Sequence, residues 1–376
     1  MRSLLAIVVL LFSAPLLAAP ELIPAAPDVG AKAYLLEDFH SGDVLAEQDA
    51  DKRIEPARLT KLMTSYVVAY ELANGTIHLD DKVRISKKAW KMGGSRMFVE
   101  VGTKVPVREL IKGMVVQSGN DATVALAEYV AGSEDAFVDL MNEHARELGM
   151  KNTHFANATG LPNPKHYTTA RDLAKLTRAL IRDFPQDYDW YDVKEYTYNH
   201  IKQYNRNRLL WLDDRVDGVK TGHTHSAGYC LIASAKQDAM RLISVVVGTK
   251  SDHARVQASR ALLNYGFRFY NTYKLYGAGK PLTTMTIYKG AQEKLPLGLD
   301  RDLYITIPRG QRDHIKANMD VDATIVAPAH KGQSFGAVNV TLDGKPVAKR
   351  PLVALQDVPE GGLWRRMVDN VVLMFK

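Results

Sequence analysis

The stretch DGVKTGHTHSAGYCLIASAKQDAMRLISVVVG, residues 217–248, decides the fold. DGVKTG, YCLIASA and MRLISVVVG each read as a strand, apolar and bounded by Gly or polar residues. The short polar KQDA between the last two predicts an antiparallel hairpin. Cys230, the lone cysteine, falls inside YCLIASA and reads as a buried strand residue rather than a nucleophile. A single cysteine forms no internal disulfide.

Downstream, RVQASRALLNYGFRFY resumes a helical period and is expected to pack back on these strands. Far upstream, AKAYLLEDF and GDVLAEQ alternate as two strands joined at His40-Ser41-Gly42. Between these ends the pattern is mostly helical. In PARLTKLMTSYVVAYELANG, residues 56–75, Leu59, Leu62, Met63, Tyr66, Val67 and Tyr70 form one stripe, and Lys61 falls on the opposite side of it. From 107 to 200, VRELIKGMVV, DATVALAEYVAG, SEDAFVDLMNEHARELG and ARDLAKLTRALIRDFP each show the helical period. Asp121 and Ser133 read as N-caps, and the last helix stops before Pro185. This order predicts an α+β fold: one antiparallel sheet built from distant segments, helices on both faces and a helical subdomain.

Past 274 the texture changes. TTMTIYKG, DLYITIP, DATIVAP, FGAVNVTLDG and KPVAKRPLVAL are short alternating runs separated by turn residues, the pattern of a small all-β domain over 275–358. The tail 359–376 is helical again. Trp364, Met367, Val368, Val371, Met374 and Phe375 share one stripe, with Arg365, Arg366, Asp369, Asn370 and Lys376 mainly elsewhere. A basic amphipathic helix of this kind lies flat on a membrane surface; the plainer alternative is a helix docked on the β domain.

The N-terminus, MRSLLAIVVLLFSAPLLAA, has a basic Arg2, an apolar core over 4–12 and small residues at Ala18 and Ala19. It reads as a secretory signal over 1–19, with a retained anchor as the alternative. Export without disulfides suits a bacterial envelope. The 376 residues divide into a first domain over 28–274 and the β domain. Hydrophobic residues at 46% and charged residues at 24% are those of a folded globular chain. The net charge of +7 is spread along the sequence, with no nucleic-acid motif, and fits an anionic surface or wall polymer better.

Three segments carry chemistry together: Arg58-Leu59-Thr60-Lys61, Ser118-Gly119-Asn120 and Lys220-Thr221-Gly222. Each alone is weak. Their order, and their placement at a helix start, between two helices and on a strand, are those of the S-x-x-K, S-D-N and K-T-G set of penicillin-binding proteins and β-lactamases. With PARLTKLMTSYV, QSGNDA, KNTHFANATGL, NRNRLLW, DGVKTGHTHSAGY, RLISVVVG, LYITIPRG and PEGGLW, the chain resembles low-molecular-weight penicillin-binding proteins, the serine D-alanyl-D-alanine carboxypeptidases.

The resemblance implies an enzyme of the periplasmic face of the inner membrane. Its substrates are peptidoglycan stem peptides ending in D-Ala-D-Ala, and β-lactams acylate it. It implies no cofactor and no metal. Lys61 is the general base, able to act if burial and nearby positive charge disfavour its ammonium form. Ser118 relays a proton to the leaving amine, and Asn120 fixes the substrate amide and Lys61. Lys220, Thr221 and Thr224 hold the terminal carboxylate alongside Gly222. The backbone N–H groups of position 58 and His223 form the oxyanion hole.

One position departs from the pattern. Arg58 stands where the family has its nucleophilic serine, and a guanidinium accepts no acyl group. Thr60 is turned about 200° around the helix from position 58, Ser65 lies about 10 Å further along it, and Ser118 lacks the helix-start geometry. Two readings follow: a carboxypeptidase scaffold disabled by a substitution, natural or introduced, or a pseudoenzyme that binds stem peptides. A true β-lactamase fits poorly, because of the second domain. His223 and His225 form an H-x-H without further ligands, so they read as strand-edge histidines rather than a metal site.

Overall fold

A computed structural model describes residues 23–375. The expected signal segment lies outside the described residues. The first domain is built on a five-stranded antiparallel sheet of β1 (Ala33–Asp38), β2 (Val44–Gln48), β3 (Val216–Thr224), β4 (Gly228–Gln237) and β5 (Met240–Thr249), in the order β2-β1-β5-β4-β3. The expected hairpin is β4–β5, paired from Tyr229–Thr249 to Gln237–Met240. β1 docks on β5 across the length of the chain, Leu35 opposite Val245.

Successive side chains of a strand point to opposite faces, and here both faces are buried. Leu35, Ile232, Ile243 and Val245 face the helical subdomain. Leu36, Leu231, Ala233, Leu242 and Val246 face the helix Asp252–Phe269 through Val256, Leu262 and Leu263. That double burial explains the near-continuous apolar run of SVVVG. Cys230 is fully buried in β4, and burial pushes its thiol up to about 11.

The subdomain comprises α1 (Lys61–Ala73), α2 (Val107–Val115), α3 (Asn120–Ala131), α4 (Glu134–Glu147) and α5 (Ala170–Asp183). The helix Asp252–Phe269 is α6. α1 departs from the single stripe read from sequence. Every residue from Lys61 to Ala69 is buried, so Lys61 lies inside the protein, while Tyr70 is 40% exposed. α1 is the central helix, enclosed by α2–α5, and a central helix has no solvent side.

Ser133 caps α4 as expected, accepting from the Ala136 N–H. Asp121 does not cap α3. The N-cap is Gly119, and the Asp121 carboxylate, in the first turn, accepts from the backbone N–H groups of Met97, Phe98 and Val99 instead. The span to 200 is also less helical than expected. Glu195–Tyr198 pairs with Ile201–Tyr204 in a hairpin. Before that span, Lys82–Arg84 pairs with Lys104–Pro106.

The second domain is all β. Its six-stranded sheet runs Ile315–Val321, Ser334–Leu342, Lys345–Ala354, Lys294–Gly298, Pro281–Tyr288, Ile325–Val326. Beside it Tyr270–Tyr276 pairs with Leu303–Pro308, so the boundary read at 274 falls within a strand. The first domain grips the second through the β1–β2 turn. Asp38 accepts from the Thr272 hydroxyl at 2.7 Å, Ser41 meets Thr306 at 2.7 Å, and His40 stacks on Tyr304. The terminal helix α7 (Leu363–Met374) is present as expected.

Candidate active site

Position 58 lies on a 3-10 turn, Ala57–Thr60, that leads into α1. The turn is held from behind. Ala57 is buried with φ +49, a left-handed conformation rare for alanine. The Thr60 hydroxyl donates to the Ala57 carbonyl at 2.8 Å and lies 2.9 Å from His166 Nε2. Gly160, at φ +80, packs so close that a Cβ would sit 1.7 Å from the Ala57 oxygen. Asn157 shapes this approach: its Oδ1 accepts from the Gly160 N–H at 2.7 Å and the Thr159 N–H at 3.2 Å. That turn aims the Thr159 carbonyl at α1.

Lys61 is fully buried. Its Nζ donates to Asn120 Oδ1 at 2.7 Å and to the Thr159 carbonyl at 2.6 Å. Asn120 in turn donates to the Gly93 carbonyl at 2.7 Å, which fixes its amide orientation. Burial, followed by the nearby Arg58 guanidinium, holds the Lys61 pKa well below the ordinary lysine value; the Asp121 carboxylate opposes this. A neutral amine donating two hydrogen bonds keeps a free lone pair, the state a general base requires.

Ser118 precedes α3 with φ +63, fully buried, and its hydroxyl has no hydrogen-bond partner among the described residues. Lys220 on β3 is also buried. Burial, then Lys61, Arg58 and Arg206, lower its pKa well below the ordinary range. Lys61 and Lys220 are therefore in electrostatic contact with Arg58, and Asn120 joins them through its hydrogen bond with Lys61.

An open cleft of about 650 Å³ lies in front of this cluster. Arg58, Gln117, Thr221, Gly222 and His223 line it, so the first and third motif segments reach one hollow, while of the second only its neighbour Gln117 does. Lys61, Ser118, Asn120 and Lys220 do not line it; they lie buried. Thr224 is also outside the lining. Its hydroxyl accepts from the Ala227 N–H at 3.0 Å and caps the turn after β3. His223 lies against Tyr229, ring centroids 4.1 Å apart, and burial followed by Arg58 and Arg255 lowers its pKa.

Sequence reading assigned no role to Arg206 or Arg255, which line the cleft. Arg255 is buried on α6 with Ser259, Leu262 and Gly266. A charged residue in a buried stripe was the available signal. It donates to the Gly222 and Cys230 carbonyls at 3.0 and 3.2 Å and pairs with Asp252. Arg206 follows Asn205 in the NRNRLLW stretch and donates to the Gln117 carbonyl at 3.2 Å.

A buried lysine one turn behind a helix tip, a Ser-Gly-Asn corner and a Lys-Thr-Gly strand, set on a sheet covered on both faces, define the architecture of a serine acyl-transfer peptidase. Residues 21–251 match the peptidase S11 family, D-alanyl-D-alanine carboxypeptidase, and residues 270–360 match the penicillin-binding protein 5 C-terminal domain. The chain belongs to the peptidase S11 family of D-alanyl-D-alanine carboxypeptidases. It is 46% identical to D-alanyl-D-alanine carboxypeptidase DacA of Escherichia coli K12 over 94% of this chain and 90% of that one. It is 45% identical to DacC of the same organism, over 96% and 92%. Penicillin-binding protein 5 from Haemophilus influenzae superposes with a TM-score of 0.85 at 43% identity, covering 90% of this chain and all of that one.

Proposed function

We propose that this chain is a D-alanyl-D-alanine carboxypeptidase scaffold whose acyl-enzyme chemistry is stopped at Arg58. The observation that carries this is the position of Arg58: it lines the cleft at the helix tip, directly in front of the buried Lys61 amine. In this reading Lys61 is the base, and the hydroxyl it would deprotonate is missing. Loss of the nucleophile of a serine hydrolase costs on the order of 10⁶ in turnover. Neither Thr60, turned toward His166, nor Ser65, bonded to Tyr191, offers a replacement.

The ligands of this reading are peptidoglycan stem peptides ending in D-Ala-D-Ala, with β-lactams as mimics held without a covalent bond. Thr221, Gly222 and His223 would contact the peptide terminus, and Lys220 would act from behind them. The deciding experiment is intact mass after penicillin exposure. An unmodified mass is expected, and an acyl adduct overturns the reading.

The place of action in this reading is the periplasmic face of the inner membrane, with α7 as the contact. No described helix is long and apolar enough to cross a membrane, so the contact would be interfacial. Its support is the direction of the apolar stripe: Trp364 is 78% exposed and Phe375 88%, while Asp369 turns inward and accepts from the Lys289 N–H.

A further inference from the structure

Arg58 leaves a chemical imbalance in the cleft. Arg58, Arg206, Arg208, Arg255 and Lys202 line it, against one carboxylate, Asp252. That carboxylate is already engaged twice, with Arg255 and with Arg208 at 3.1 Å. Among the described residues no acidic group pairs with Arg58 or Arg206, and the charged groups acting on Arg58 are cations, Arg206 and Arg255. Arg58 is half-buried, so its charge is only partly screened. A half-buried guanidinium with no hydrogen-bond acceptor among the described residues is a group waiting for an anion.

Position 58 also says where on a peptide that anion would sit. In the family's reaction the side chain there bonds the acyl carbon of the penultimate D-alanine. In a substrate that carbon belongs to a neutral amide. After hydrolysis it is a carboxylate. A serine side chain ends at that carbon; an arginine extends past it, into the space the last residue of a D-Ala-D-Ala substrate would cross. A peptide one residue shorter ends there with the charge that the guanidinium fork matches in a two-point hydrogen bond.

We propose that the cleft is a receptor for stem peptides ending in a single D-alanine, the product form of the family's reaction, whose terminal carboxylate is held by Arg58 and Arg206. This rests on the reading of the cleft as a stem-peptide site. It differs from it in reversing the preference between the two peptide lengths.

The test is calorimetric titration of the full chain with three synthetic peptides at low salt: one ending in a single D-Ala acid, its C-terminal amide, and one ending in D-Ala-D-Ala. The acid should bind about tenfold more tightly than the amide, the size of one charge-assisted contact, and more tightly than the D-Ala-D-Ala form. Raising salt from about 50 to about 500 mM should shrink the advantage. Arg58→Gln should bring acid and amide together while leaving the amide's affinity in place; Arg206→Gln should act the same way in part, and circular dichroism checks that both variants fold. Equal binding of acid and amide, or preference for D-Ala-D-Ala, overturns this inference and leaves the stem-peptide reading standing. Failure of all three peptides to bind removes both. Acetate that competes as well as the acid peptide, mole for mole, reduces the site to a general anion hole and also overturns the proposal.

Discussion

Lys61 Nζ lies 2.7 Å from Asn120 Oδ1, and both groups are buried behind Arg58. This contact joins the first motif to the second with an arginine at position 58. Lys61 is held by the Thr159 carbonyl on one side and Asn120 on the other, neither of which touches the side chain at 58. The base of the proposed reading would therefore be held in place by residues other than the one at 58.

From this, Arg58→Ser should restore covalent labelling by a fluorescent penicillin, with the parent chain unlabelled. In that restored background Lys61→Met should lower the acylation rate by about 10²–10⁴, the usual contribution of a general base. Stopped-flow labelling measures both. A revertant that stays unlabelled while folded would show that position 58 is not the nucleophile site.

Gly160 makes a second, structural claim. Its φ of +80 and its contact with the Ala57 carbonyl leave no room for a methyl group. Gly160→Ala should destabilise the protein by at least about 2 kcal/mol, because both the backbone conformation and the contact are lost. Urea unfolding reads the loss. Gly75→Ala, also at positive φ but facing open space, is the control and should cost less.

Two buried groups set opposing pH dependences. Glu37 is 5% exposed on β1, and burial, opposed by Arg178, raises its pKa from 4.5 to about 7. The folded state then holds a proton that the unfolded state has lost. Its contribution is fully present below pH 4.5 and disappears as pH rises through 7. His166, behind the Arg58 turn, has its pKa lowered by burial from 6.5 to about 4. Its contribution is present above 6.5 and lost as pH falls through 4. Glu37→Gln should thus gain stability relative to the parent between pH 5 and 8, by up to about 3 kcal/mol. His166→Gln should flatten the acid limb instead. Chemical unfolding at several pH values separates them; a Glu37→Gln curve parallel to the parent's would place the carboxyl in water.

How much of this was legible in sequence follows from range. The β4–β5 hairpin and the helices α4 and α5 announce themselves within one stretch, through alternation, a Ser133 cap and a Pro185 stop. The three motifs could be ordered because each contains its own residues. Lys61 was misplaced, since periodicity assumes a helix with a wet side and α1 has none over most of its length. Asp121 was read as a cap, because the backbone N–H groups it serves, at 97–99, come from a distant loop. Thr224 follows the third motif by two residues and was expected to hold the carboxylate, yet its hydroxyl is spent on the next turn. Arg206 and Arg255 reach the cleft from separate elements, and no local pattern connects them to Arg58.

The last expectation concerns α7. Its inner edge is polar: Asp369 bonds to the Lys289 backbone, Arg365 lies 3.4 Å from Glu293, and Arg366 pairs with Glu360 at 2.7 Å. These contacts tie the helix to the β domain by its charged residues, which turns Leu363, Trp364, Met367, Val371, Met374 and Phe375 outward, all more than half exposed. A helix docked as an ordinary part of the domain would bury that stripe and expose the charges, the reverse of what is found. On the membrane reading proposed above, this exposed apolar face with Trp and Phe beside basic residues would sit in the headgroup region of an anionic bilayer. Adding vesicles of anionic lipid should blue-shift the Trp364 emission, most readily followed against a Trp364→Phe control because the chain has 4 tryptophans. Deleting 360–376 should abolish sedimentation with those vesicles while leaving the thermal unfolding of the first domain in place. If the truncated chain still sediments with the vesicles, the contact lies elsewhere on the basic surface, and α7 is left without a membrane role.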